Sequence, residues 1–198
     1  MAYPSVSAPY GLIPINLIGG QVFAGATRQI PIATNSSTAI YYGDVVKLAS
    51  GYLAKDTGTT SATPVGVFLG CTYTDPVFGK TFRQYYPGTT NITDVVAYVQ
   101  DDPDALYKVA VVSSGTTIGS VTRTAVGNNA VLVQNGGSTI TGNSGVAVSA
   151  TTATTSTWPV RIIDVIPETS PAGSPGSYTE VVVKWNQGMH QYLNPTGV

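Results

Sequence analysis

Short apolar stretches, separated by turns rich in glycine, proline and polar residues, follow one another from about Val22 to Trp185. The clearest stretches cover residues 64–73, 94–100 and 178–185. β-Branched and aromatic residues dominate them, and no segment longer than about ten residues has helical periodicity. The spacing predicts an all-β fold, either a sandwich or a barrel of short strands.

The first twenty residues have a different pattern. Prolines at 4, 9 and 14 and glycines at 11, 19 and 20 disfavour both a helix and a central strand, yet most residues from 12 to 18 are apolar. Two interpretations remain open: an arm that packs on a neighbouring subunit, or an extended lead-in that covers the core of its own domain. The predicted organisation is an extended N-terminal arm (1–20), a β domain (21–186) and a C-terminal tail (187–198).

Charge is scarce in this chain. Only 10% of its 198 residues are charged and the formal net charge is -1, whereas about 25% is typical of soluble domains. Copies of a chain with so little charge repel one another only weakly, which suits a protein that is packed closely in an assembly. The nine basic residues form no run, which argues against nucleic acid as a partner. No apolar stretch is long enough for a membrane span and no signal peptide is visible, so we expect synthesis in a host cytoplasm.

Candidate catalytic residues are few. Cys71 is the sole cysteine and lies in an apolar run, which is typical of a small buried side chain. His190 is the sole histidine, has no acid beside it, and is expected at a surface or an interface. Glu168 and Glu180 are the two glutamates and suggest no acid pair. We therefore expect neither an enzyme nor a cofactor.

Asp101, Asp102 and Asp104 lie within four residues of one another. Their carboxylates could bind Ca²⁺, although the twelve-residue loop pattern of calcium sites is missing. Asp-Asp-Pro-Asp is also typical of a tight turn, which is the favoured interpretation.

Several motifs resemble those of head structural proteins from marine and freshwater bacteriophages, notably cyanophages. The resemblance covers most of the chain and is carried by residues 11–14, 18–21, 25–32, 40–46, 99–107, 178–186 and 190–192. Residues 43–67 are also similar to β-rich decoration proteins related to the lambda head-stabilising protein. These resemblances imply a homotrimer at three-fold positions of an icosahedral shell, with the major capsid protein as partner and no catalytic residues.

The predicted function is therefore that of a capsid cement or decoration protein on the outer surface of a bacteriophage virion. Such a protein adds contact area across joints between capsomers, and tyrosine, present twelve times, suits such interfaces. The residues predicted to contact the capsid or another subunit are Tyr3, Tyr10, Leu12, Ile13, Leu17, Ile18, Phe23 and Arg28.

Three alternatives remain open. A head-fibre or receptor-binding module would also be β-rich and trimeric. A major capsid protein normally has a long helix and a longer chain. A polysaccharide depolymerase would need acid pairs that the sequence does not suggest.

Overall fold

The computed structural model describes residues 6–89, 91–171 and 174–197. The all-β prediction is confirmed, since the described helices are three single 3₁₀ turns at Arg123–Ala125, Pro167–Thr169 and Gln191–Leu193. None of these is long enough to cross a membrane. The strands are β1 (Ile13–Leu17), β2 (Arg28–Pro31), β3 (Val45–Ala49), β4 (Tyr52–Lys55), β5 (Gly66–Asp75), β6 (Gly79–Arg83), β7 (Val96–Gln100), β8 (Ala105–Ser114), β9 (Thr117–Ile118), β10 (Val121–Thr122), β11 (Asn129–Val133), β12 (Ala147–Ala153), β13 (Val160–Val165), β14 (Ser177–Tyr178) and β15 (Glu180–Trp185).

The second half of the chain forms a closed sheet, the C-terminal barrel. Its strand order is β8, β12, β11, β13, β15 and back to β8, with the β8–β12 pair parallel and the other pairs antiparallel. Closure satisfies the backbone groups of both sheet edges. Valines from these strands and the rings of Tyr107 and Trp185, 5.3 Å apart, fill the interior.

The first half forms the N-terminal barrel. Its strand order is β2, β7, β5, β3, β4, and a parallel bridge between Ile32 and Leu53 joins β2 back to β4. Phe68, Tyr73 and Tyr86 are fully buried in its core. β6 pairs with the far end of β5 and forms a hairpin with it.

A buried carboxylate lies where the two barrels meet. Asp44 accepts a hydrogen bond from Ser144 Oγ of the C-terminal half at 2.5 Å, and its Oδ2 lies 2.8 Å from Lys55 Nζ. Val45 and Val67, from the N-terminal barrel, belong to the core of the C-terminal barrel. Because core and polar contacts both cross the junction, the two barrels pack as neighbours with a shared apolar boundary.

The N-terminal segment lies on its own chain. β1 pairs antiparallel with residues 105–108 of β8, and Leu12 is completely buried in the core of the C-terminal barrel. Gly11 has a φ of +88°, and an added Cβ would lie 2.8 Å from the Gly43 carbonyl oxygen. Residues 12–17 thus pack on their own barrel and Leu12 is a core residue, while contact of the N-terminal segment with another subunit stays a prediction. Met1–Ser5, including Tyr3, lie outside the described residues.

The C-terminal segment crosses from β15 to the N-terminal barrel. Gln191 donates its backbone N–H to the Pro64 carbonyl at 2.8 Å, and its side chain bonds both backbone groups of Leu48. His190 is completely buried beneath this crossing. His190 was expected at a surface or an interface; a surface position is wrong, because its side chain is completely buried within the chain.

Candidate contact surface

Tyr10 joins the N-terminal segment to the barrel. Its hydroxyl donates a hydrogen bond to Glu180 Oε1, the oxygen that also lies 3.0 Å from Lys108 Nζ. Lys108 Nζ lies 5.5 Å from the centre of the Tyr10 ring. Burial, and then the Glu180 carboxylate, raise the pKa of Tyr10 well above its usual range. The structure thus gives this predicted contact residue an intramolecular role.

Arg28 also binds within the chain, although its side chain is 60% exposed. Its Nε lies 2.8 Å from Asp101 Oδ2, and its guanidinium lies 5.3 Å from the centre of the Tyr192 ring. Tyr192 in turn donates its hydroxyl to Asp101 at 3.1 Å. These three side chains fasten the C-terminal segment to β2 and to the turn before β8.

The structure brings Leu17, Phe23 and Arg28 together around one shallow groove of about 560 Å³. Gln100 and Asp101 complete its polar side. Ile13 is half-buried in β1 and is not among the residues that line this groove. Three of the predicted contact residues therefore share a surface, and their contact with a capsid stays a prediction.

Ile18 lies at a second cavity, of about 360 Å³, which we call the basic cavity. Ile18 is 46% exposed, and its backbone N–H donates to the Asp104 carbonyl at 2.9 Å. The cavity combines two cationic side chains with a mostly apolar lining. It is lined by Ile18, Pro103, Arg161, Ile163, Lys184, Trp185, Asn186, Gln187, His190 and Leu193.

The β5–β6 hairpin presents apolar side chains to solvent. Val77 is 81% exposed, Phe78 77% and Phe82 62%. Asp75 Oδ1 accepts the backbone N–H groups of Val77 and Phe78 at 2.9 and 3.2 Å. These bonds order the tip and hold the pKa of Asp75 below its usual range.

Sequence reasoning missed the tip of this hairpin. The available signal was Asp75-Pro76 followed by Gly79, a turn pattern with two apolar residues at its centre. Among the described strands, β6 pairs with β5 alone, so its outer edge has no strand partner there. An apolar tip beside an unpaired edge is the type of surface through which β proteins contact other chains.

The acidic turn before β8 forms as predicted, but its carboxylates diverge. Asp102 accepts the Asp104 N–H at 2.8 Å, while Asp101 binds Arg28 and Asp104 lies 3.0 Å from Lys184 Nζ. Within residues 6–89, 91–171 and 174–197, no group of three potential ligands is close enough to hold a metal ion.

The two candidate reactive side chains are both buried. Burial raises the pKa of Cys71 to about 12, which keeps its thiol protonated. Burial lowers the pKa of His190, a shift that the backbone of Val65 partly opposes. His190 Nδ1 accepts the Tyr192 N–H at 3.3 Å, and Nε2 has no hydrogen-bond partner within the part of the chain that the structure describes.

In comparisons with known proteins, no family model, no curated protein and no solved structure matches this chain.

Proposed function

We propose that the protein is a capsid cement or decoration protein, which binds the outer surface of a bacteriophage head as a homotrimer and stabilises joints between capsomers. Its partner is the major capsid protein, and its role is structural, without catalysis. The exposed apolar tip of the β5–β6 hairpin, beside an unpaired strand edge, is the observation that best supports this proposal.

The hairpin offers binding energy that the folded chain does not use. Burial of apolar surface contributes about 25 cal/mol per Å², so covering Val77, Phe78 and Phe82 would favour association. Each contact of this size is weak alone, but a trimer on a repeating shell makes several contacts at once, which increases the apparent affinity. The scarcity of charge lets copies sit close together without strong repulsion.

The test uses phage heads that lack this protein, mixed with the purified full chain. We expect wild type to saturate the heads, and the double variant Val77→Ser/Phe78→Ser to bind about tenfold or more weakly, since apolar anchors carry most of the energy of an interface. Ile140→Ser is the matched control, because Ile140 is 94% exposed on a loop outside the hairpin. Sedimentation followed by gel densitometry measures the bound protein.

Three outcomes would contradict this proposal. These are wild type leaving the heads bare, the double variant binding as well as wild type, and mature virions carrying only a few copies at one vertex. The last result would instead fit a head-fibre or receptor-binding module. Deleting residues 1–20 is a poor substitute for these variants, because it also removes β1 and the buried Leu12.

A further inference from the structure

Two cationic side chains face each other across the outer wall of the C-terminal barrel. Arg161 of β13 pairs directly with Lys184 of β15, and both line the basic cavity. Like charges at directly opposed positions of an antiparallel pair destabilise a sheet. An anion that lies between or above the two positive charges reduces the repulsion between them.

Only one of the two cations has a carboxylate partner among the described residues. Lys184 Nζ lies 3.0 Å from Asp104 Oδ1, whereas Arg161 Nε donates to the amide oxygen of Asn129 at 3.0 Å. The three other arginines each bind an aspartate: Arg28 binds Asp101, Arg83 binds Asp75 and Arg123 binds Asp164. The charge of Arg161, which lines this cavity, is therefore not compensated by an ion pair within the described residues.

The rest of the lining selects the type of anion. Ile18, Ile163 and Leu193 supply apolar walls, which favour an anion with an apolar neighbour over a bare inorganic ion. One uncompensated charge matches a monoanionic carboxylate better than a phosphate dianion. The planar guanidinium of Arg161 also matches a carboxylate through two parallel hydrogen bonds.

We propose that the basic cavity binds a carboxylate side chain, together with an adjacent apolar side chain, from a surface segment of the shell protein. This inference rests on the proposed function and names a second point of contact besides the hairpin. The cavity is large enough, at about 360 Å³, for two or three side chains of such a segment.

The first experiment measures binding of the full-length chain to heads that lack it. Arg161→Gln removes the uncompensated charge, and we expect about 10- to 100-fold weaker binding, as for the loss of a charged hydrogen bond. Arg161→Lys keeps the charge without the planar fork and should recover part of the affinity. Arg123→Gln is the matched control, since it removes an exposed arginine of the same barrel that lies outside the cavity.

The second experiment uses probe peptides and needs no heads. We expect acetyl-Leu-Asp-Leu-amide to shift the Nε–H resonance of Arg161 in nitrogen-15 spectra while that of Arg123 stays unchanged. The neutral peptide acetyl-Leu-Asn-Leu-amide should shift neither resonance. Melting temperatures of all variants check that they are folded.

The outcomes separate this inference from the proposed function. If wild type and the Arg161→Gln variant bind the heads equally, the cavity is not a contact and the inference is overturned while the proposed function stands. If wild type leaves the heads bare but the acidic peptide shifts the Arg161 resonance, the cavity binds carboxylates, and the carboxylate does not come from the shell protein. If the acidic peptide leaves Arg161 unshifted, the cavity is not a carboxylate site.

Discussion

The N-terminal segment 11–18 and the hairpin segment 75–83 differ in how their apolar side chains are covered. Both segments are short and combine large apolar residues with one proline and one glycine, and the hairpin segment also carries Asp75, Lys80 and Arg83. In the first, Leu12 is completely buried and β1 joins the wall of the C-terminal barrel. In the second, Val77 and Phe78 are more than three-quarters exposed. An apolar extended segment thus does not reveal by itself whether its own chain will cover it.

Strand length explains the difference between the two segments. β12 pairs with β8 only from Val111 onward, so residues 105–108 of β8 keep a free edge that β1 occupies. In the other barrel, β5 has ten residues and its neighbour β7 has five. After Thr72, β5 therefore pairs with β6 alone, among the described strands. Differences in length between paired strands thus leave a free edge on β8 in one barrel and a projecting β5–β6 hairpin in the other.

The strongest test of this comparison substitutes one apolar residue in each segment. Leu12→Ala should lower the free energy of unfolding by about 2–5 kcal/mol, because it leaves a cavity in a packed core. Phe78→Ala should change it by less than about 0.5 kcal/mol, as for an exposed side chain. Urea unfolding followed by tryptophan fluorescence measures both values. Equal costs would show that the two segments do not differ as described.

The Tyr10 hydroxyl tests how the N-terminal segment is fastened. Tyr10→Phe should lower the free energy of unfolding by about 1.5–3 kcal/mol, since the lost hydrogen bond ends on a charged carboxylate. The change also leaves Glu180 with Lys108 as its remaining charged partner. Tyr52→Phe is the control, on a tyrosine that is 46% exposed. If both variants unfold at the same urea concentration, the Tyr10–Glu180 bond does not fasten this segment.

His190, near the C-terminus, is buried like Leu12 near the N-terminus. Burial lowers its pKa in the folded state from the usual 6.5, and the charge of Lys184 adds to this shift, whereas the Val65 backbone, Asp101 and Asp102 oppose it. Its neutral form is therefore favoured by folding. The associated stability is fully present above pH 6.5 and falls as the pH drops toward the folded pKa, because the unfolded chain binds the proton first.

His190→Gln should remove this component. The variant should lose less stability than wild type between pH 7.5 and 5.5, and the difference should have a slope of at most about 1.4 kcal/mol per pH unit. Melting temperatures recorded along this pH series measure it. Parallel curves for the two proteins would mean that His190 titrates equally in the folded and unfolded chains, and that the C-terminal segment does not bury it.

Much of the local structure could be predicted from residues that are neighbours along the chain. Period-two patterns and β-branched residues specify strands such as β5, β7 and β15, and Asp102 and Pro103 specify the turn before β8, because these preferences depend on neighbours along the chain. The scarcity of charged residues could also be read directly from the sequence.

Which segments pack together became clear from the fold, because these contacts join residues that are far apart in the sequence. The fold placed β1 on β8, buried His190 under the crossing C-terminal segment, and opposed Arg161 to Lys184 across two strands. Tyr10 and Arg28 look like contact residues in the sequence because their partners, Glu180 and Asp101, are distant along it. Register and barrel closure depend on pairing between distant strands, whose energies no local pattern encodes.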